Sequence, residues 1–195
     1  SITSHEADIE EYKTSYAWHD AQIRKVGIRI PGSMNRKAPD IIIIYRGTND
    51  FSHVKYAELS MDTFNNINYS YPITDVINEN KYGYKEGLVL LVSKLRENYP
   101  SSKIYLCTLN VFKRVHYEHF PTNNGLNTLP QYNNAIREVA NFMGCGLIEF
   151  DKDGITFENC YTEGYITDSP TTPTHPSNKG HILMYNKALT DLIKN

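Results

Sequence analysis

Two short constellations in this chain carry side chains suited to acyl-transfer chemistry. The first is Gly47-Thr48-Asn49-Asp50. An Asn placed just after a strand aims a side-chain N–H at the space over the sheet edge. A fixed donor there can hold the oxyanion of a tetrahedral intermediate, and loss of one such donor elsewhere costs roughly 3–4 kcal/mol. The same tetrapeptide is also a good turn with no chemistry attached. The second is Thr174-His175-Pro176-Ser177-Asn178-Lys179-Gly180-His181. The proline restrains His175, and an imidazole with an ordinary pKa near ~6.5 is a ready general base. A lone loop histidine, one of seven, is otherwise simply solvated.

Other clusters carry less. His116-Tyr117-Glu118-His119 spaces its histidines by three in a loop, not by the four that a helical zinc site uses, and has no third ligand nearby. No metal site is expected from it. Gly144-Cys145-Gly146 is no dinucleotide fingerprint, and no phosphate-cradling loop of the Walker type occurs, so no cofactor is expected. The three cysteines, Cys107, Cys145 and Cys160, lack CxxC spacing, and an odd count argues against a full disulfide framework while leaving one bridge open. Cys107, inside the expected strand over 103–109, reads as inert core. Fifteen tyrosines, several in loop-like segments, suit a binding surface, sugar included. Phe112, Arg114 and Tyr117 form an aromatic and basic patch, and Tyr45 and Phe51 flank the first constellation. These five are candidate substrate contacts, although a loop packing its own aromatics looks the same.

The elements that must position these residues follow from periodicity. Residues 39–45, with four consecutive isoleucines, read as a strand buried on both faces, as in a parallel sheet covered by helices. Residues 82–98 read as a helix with Leu88, Leu91, Val92 and Leu95 inward. A second strand spans 103–109, a helix 131–143 stopped by Gly144 and Gly146, and a third strand 147–150. The final helix, 177–194, has Ser177 at its N-cap and an apolar stripe of Ile182, Leu183, Tyr185, Leu189 and Leu192. An earlier helix is expected over 16–26. Strand and helix alternate, which means an α/β protein with a parallel sheet and right-handed crossovers. Ligands then bind beyond the carboxyl ends of the strands, which puts 47–80, 110–130 and 151–176 on the functional edge.

Composition sets outer limits. With 40% apolar residues and a formal charge of −2, the chain can build a core. It offers no electrostatic reason to bind nucleic acid or an anionic membrane. Apolar runs such as Ile41 to Ile44 and Leu88 to Val92 are far too short to span a bilayer.

Taken together, "PDIIIIYRGTNDF" and "THPSNKGH", in that order, resemble the third and fifth conserved blocks of the SGNH, or GDSL-like, hydrolases. The resemblance covers residues 39–195. It implies one domain with a three-layer α/β/α, flavodoxin-like parallel fold. It further implies a serine esterase that needs no cofactor and acts on small-molecule esters; the aromatic loops add esters of carbohydrates, acetyl esters among them, to the expected substrates. Asn49 matches the family's oxyanion Asn and His175 its base. The family usually has an Asp three residues before that His. Here Thr172 stands there, and Asp168 in the same loop is the alternative orienting acid, unless a carbonyl holds the imidazole. For the nucleophile two alignments stay open. In one, Ser1-Ile2-Thr3 is the tail of a Gly-Asp-Ser-Ile-Thr motif and Ser1 is the nucleophile. In the other it ends the second block, and the nucleophile and an oxyanion Gly precede it. Both leave an N-terminal strand wanting and raise a separate N-terminal fragment as a partner. Family habit favours an extracellular or periplasmic home. The rival readings are a non-catalytic carbohydrate-binding relative with a decayed site, and a flavodoxin-like nucleotide binder.

Overall fold

The computed structural model describes residues 39–48, 84–110, 128–167 and 175–194. The helix expected over 16–26, the loops 49–80 and 111–127, and Ser1 lie outside the described residues.

Strand β1 (Ile41–Ile44) is followed by helix α1 (Tyr84–Asn98), strand β2 (Lys103–Cys107), helix α2 (Leu129–Met143), strand β3 (Gly146–Ile148), a 3-10 turn (Phe150–Lys152) and helix α3 (Asn178–Lys194). The three strands pair in the order β1-β2-β3, all parallel. Ile42 stands beside Ile104, Ile44 beside Leu106, and Leu106 beside Leu147. Period-two alternation therefore puts Ile42, Ile44, Ile104, Leu106 and Leu147 on one face, where α1 and α2 cover them. Both connecting helices lie on that face, as right-handed crossovers between consecutive neighbours require. Tyr105, Cys107 and Ile148 point to the other face and pack with Phe150, Met184, Ala188 and Leu192, so α3 forms the third layer. The architecture is α/β/α.

The helices are bounded as their sequences dictate. Thr128 and Gln131 form a capping box at the start of α2: the Thr128 N–H donates to Gln131 Oε1 at 2.7 Å and the Gln131 N–H donates to Thr128 Oγ1 at 3.4 Å. Gly144 ends the helix in the left-handed region at φ 60°. Ser177 caps α3, its Oγ accepting the Gly180 N–H at 3.1 Å. In α1 the buried apolar positions are Tyr84, Leu88, Val89, Val92 and Leu95, with Leu91 at the margin.

Two expectations are corrected. The isoleucine strand is not buried on both faces: Ile41 and Ile43 are 47% and 48% exposed. They point to the α3 side of the sheet, but α3 lies over β2 and β3, and no described element covers β1 there. The apolar stripe of α3 is also turned. Met184 is buried and Ala188 and Leu192 pack beneath it, whereas Ile182, Tyr185 and Leu189 are exposed. Two apolar faces overlap on this helix. The choice between them goes with Asp191, which is buried, accepts the Glu149 N–H at 2.9 Å just beyond β3, and pairs with Lys187 at 2.6 Å. An inward Ile182 face would strand that carboxylate.

Candidate active site at the carboxyl edge of the sheet

Because the strands are parallel, residues 45–48, 108–110 and 149–153 leave the sheet at one edge. Each segment is held by specific contacts. Gly47 is buried with φ 128°, a conformation that side-chain-bearing residues rarely adopt. A Cβ there would lie 2.3 Å from the Tyr84 hydroxyl. That hydroxyl donates to the Arg46 carbonyl at 2.7 Å, so the first residue of α1 clamps the turn that leads to Asn49. The glycine is needed for both dihedral and space.

After β2 the chain has no described strand partner for Leu109. Asn133 of α2 substitutes for one: its Oδ1 accepts the Leu109 N–H at 2.8 Å, and its Nδ2 donates to the Leu109 carbonyl at 2.9 Å. Both residues are buried. Thr108 donates its hydroxyl to Asp151 Oδ1 at 2.7 Å and accepts the Asp151 N–H at 3.1 Å. Arg137 of α2 grips both oxygens of Asp151 at 2.8 and 2.6 Å and reaches Glu149 through Nε at 3.0 Å. Burial opposes ionisation of Glu149, but Lys152 and Arg137 outweigh it and hold the carboxyl below the usual range. This cluster braces the turn after β3.

Asp153 differs from its neighbours. It is buried, its Oδ1 accepts the Ile155 N–H at 2.8 Å, and its Oδ2 has no hydrogen-bond partner. Burial first, and the Asp151 charge as well, push its pKa up to about 6.

His175 is exposed, and its main chain is anchored. Its carbonyl accepts from the Thr167 N–H at 3.1 Å and the Thr167 hydroxyl at 3.2 Å, and Ile166 and Pro176 form an antiparallel bridge. Ser177 donates its N–H to the Tyr165 carbonyl and its hydroxyl to the Gly164 carbonyl, both at 2.7 Å. A Cβ on Gly180 would lie 2.3 Å from the Tyr165 carbonyl oxygen, so the start of α3 seats directly on the 164–166 backbone. That turn has its own small core of Ile155, Cys160 and Ile166.

Two of the expected site residues, Tyr45 and His175, are described. Asn49, Asp168, Phe51, Phe112, Arg114 and Tyr117 lie outside the described residues, as does Thr172. The Tyr45 ring stands edge-on to Phe150 with centroids 5.3 Å apart, and its hydroxyl donates to Asn110 Oδ1 at 2.5 Å. Asn110, fully buried, donates from Nδ2 to Met184 Sδ at 3.5 Å. Met184 is six residues into α3, about 9 Å of helix rise from its start. Sequence reasoning missed Asn110 and Asn133. The available signal was an Asn closing an apolar strand and another inside an apolar helical stripe. All three cysteines are free, and burial pushes the Cys107 thiol up to about 12, in keeping with inert core. Among the described residues, no group of three His, Cys, Asp or Glu side chains could hold a metal ion, and no helix is long and apolar enough to cross a membrane.

The sequence pattern of the GDSL-like lipase/acylhydrolase family matches residues 12–183. The chain belongs to that family. The family's own description, lipase and acylhydrolase, refers to hydrolysis of acyl esters. No curated protein matches it. Among solved structures it resembles a structural-genomics protein from Lactobacillus plantarum, with a TM-score of 0.60 and 17% identity over 86% of this chain and 71% of that one. A peptidoglycan O-acetylesterase overlays with a TM-score of 0.51 and 16% identity over 80% of this chain and 37% of that one. A third solved chain, at a TM-score of 0.57 and 16% identity, is spanned over 65% of its length. At these identities the likeness concerns the fold: the GDSL-like α/β/α layering described above.

Proposed function

We propose that the protein is a serine ester hydrolase that removes acyl groups, acetyl foremost, from carbohydrates. The observation that carries the reading is the family match together with the braced carboxyl edge. The Gly47 turn hands the chain on to Asn49, and the anchored His175-Pro176 segment opens α3, whose first half is tied to that edge through Met184 and Asn110.

In this reading His175 takes the proton from a serine hydroxyl as its oxygen attacks the ester carbonyl. The Asn49 side-chain N–H stabilises the resulting oxyanion. The intermediate collapses, the C–O bond to the sugar breaks, and His175 returns its proton to the leaving alcohol. Water then repeats the sequence on the acyl-enzyme, releasing acid and free serine. Ser1 is the candidate nucleophile within this sequence, and Asp168 the candidate orienting acid in place of the residue at Thr172. Phe51, Tyr45, Phe112, Arg114 and Tyr117 are the candidate sugar contacts. The sugar preference draws on these aromatics and on the O-acetylesterase among the structural neighbours.

The test is hydrolysis of an acetylated oligosaccharide and of p-nitrophenyl acetate by the full-length protein. His175→Ala and Asn49→Ala should each cut the rate by well over ~10-fold, and a serine-directed phosphonate should label the wild type. Near-wild-type rates in both variants would end the assignment. A protein that binds the sugar but neither turns over nor labels is the non-catalytic relative instead.

A further inference from the structure

We propose that Tyr45 is a positioning residue: its hydroxyl ties the turn after β1 to the first half of α3 and so keeps the two halves of the site in register. The inference rests on the esterase reading above for its kinetic consequence, though the tie itself does not.

The argument starts from where the side chain ends. Tyr45 directly follows β1, and its hydroxyl donates to Asn110, which follows β2. The Asn110 amide in turn donates to Met184 in α3, nine residues after His175. The Thr48 side chain lies in hydrogen-bonding reach of the same hydroxyl, and Thr48 precedes Asn49. One phenol oxygen therefore joins the segment carrying the oxyanion donor to the helix introduced by the base. Burial pushes the phenol pKa up from its ordinary value, so the group stays a neutral donor. A phenylalanine would keep the edge-on contact with Phe150 but leave the Asn110 carbonyl oxygen, buried completely, without its donor. The amide is then free to turn and release Met184. The residue as a whole is 42% exposed, so contact with substrate is the competing role, and kinetics separates the two.

The experiment uses the full-length protein and Tyr45→Phe. As a positioning residue, its loss should lower kcat by about 5–10-fold, roughly the effect of one misplaced hydrogen bond, with KM changed by less than about twofold. In an Asn49→Ala background the same change should have little further effect, because what it positions is already gone. A rise in KM alone would make Tyr45 a substrate contact and overturn the proposal. Unchanged kinetics, or losses that simply multiply with Asn49→Ala, would overturn it too. If the wild type hydrolyses no ester, the functional reading fails separately, and amide exchange decides the tie. Tyr45→Phe should then speed exchange at both Thr48 and Met184 while α1 and α2 keep their protection, and unaltered exchange at those two positions would refute it.

Discussion

Replacing Gly47 with alanine should destabilise the turn that follows β1 and precedes Asn49 in the sequence. Two costs are readable from the coordinates. The residue sits at φ 128°, and holding a side-chain-bearing residue in so sparse a region costs of order 1–3 kcal/mol. The new Cβ would also meet Tyr84 Oη at 2.3 Å, Cζ at 2.9 Å and Cε2 at 3.2 Å. Only movement of that ring relieves the contact, and movement forfeits the hydrogen bond to the Arg46 carbonyl, worth about 1 kcal/mol. The sum is about 2–4 kcal/mol. For a domain of this size each kcal/mol moves the melting midpoint by about 2–4 °C, so a fall of roughly 5–15 °C is expected. Urea unfolding followed by circular dichroism measures the free-energy loss, and a thermal melt the fall in midpoint. Gly87→Ala is the internal control: it lies in α1, its Cβ meets nothing within 4 Å, and it should gain about 0.5–1 kcal/mol. Tyr84→Phe in the Gly47→Ala background removes the closest contact, so the two changes together should cost less than their sum. A Gly47→Ala protein within about 0.5 kcal/mol of wild type would refute the steric reasoning, as would strict additivity with Tyr84→Phe.

Two further outcomes are expected. Asp153 holds its proton more tightly when folded, since its pKa rises from 3.8 to about 6. Stability should therefore fall as pH rises from about 4 to about 6, by about 2 kcal/mol, and level off above. Asp153→Asn should remove that fall, and urea midpoints at the two ends of the window will show it; an undiminished slope in the variant excludes Asp153 as its source. Asn133→Ala leaves the buried Leu109 N–H and carbonyl unpaired and should cost about 2–4 kcal/mol, read by the same denaturation. A loss below about 0.5 kcal/mol would mean that other groups replace those bonds.

The strand-helix alternation, the Gly144 stop and the Ser177 cap were legible in the sequence because each rests on local physics. Ile41–Ile44 has no polar break, Gly144 takes the left-handed conformation that ends α2, and Ser177 accepts an N–H at the start of α3, whereas the Thr128–Gln131 capping box starts α2 two residues before the expected Gln131. Family membership was legible for the same reason, through short runs such as GTND and THPS. Other features depend on residues far apart in the chain, and local pattern is blind to them. Which stripe of α3 turns inward goes with a carboxylate meeting the Glu149 N–H, 42 residues away. Whether both faces of β1 are covered depends on where α3 lies. That Asn133 pairs with both main-chain groups of Leu109, and that Tyr45 reaches Asn110 across 65 residues, follows only once the sheet register sets those side chains side by side. A buried polar group needs a partner wherever the chain brings one, and only the tertiary structure decides which one that is.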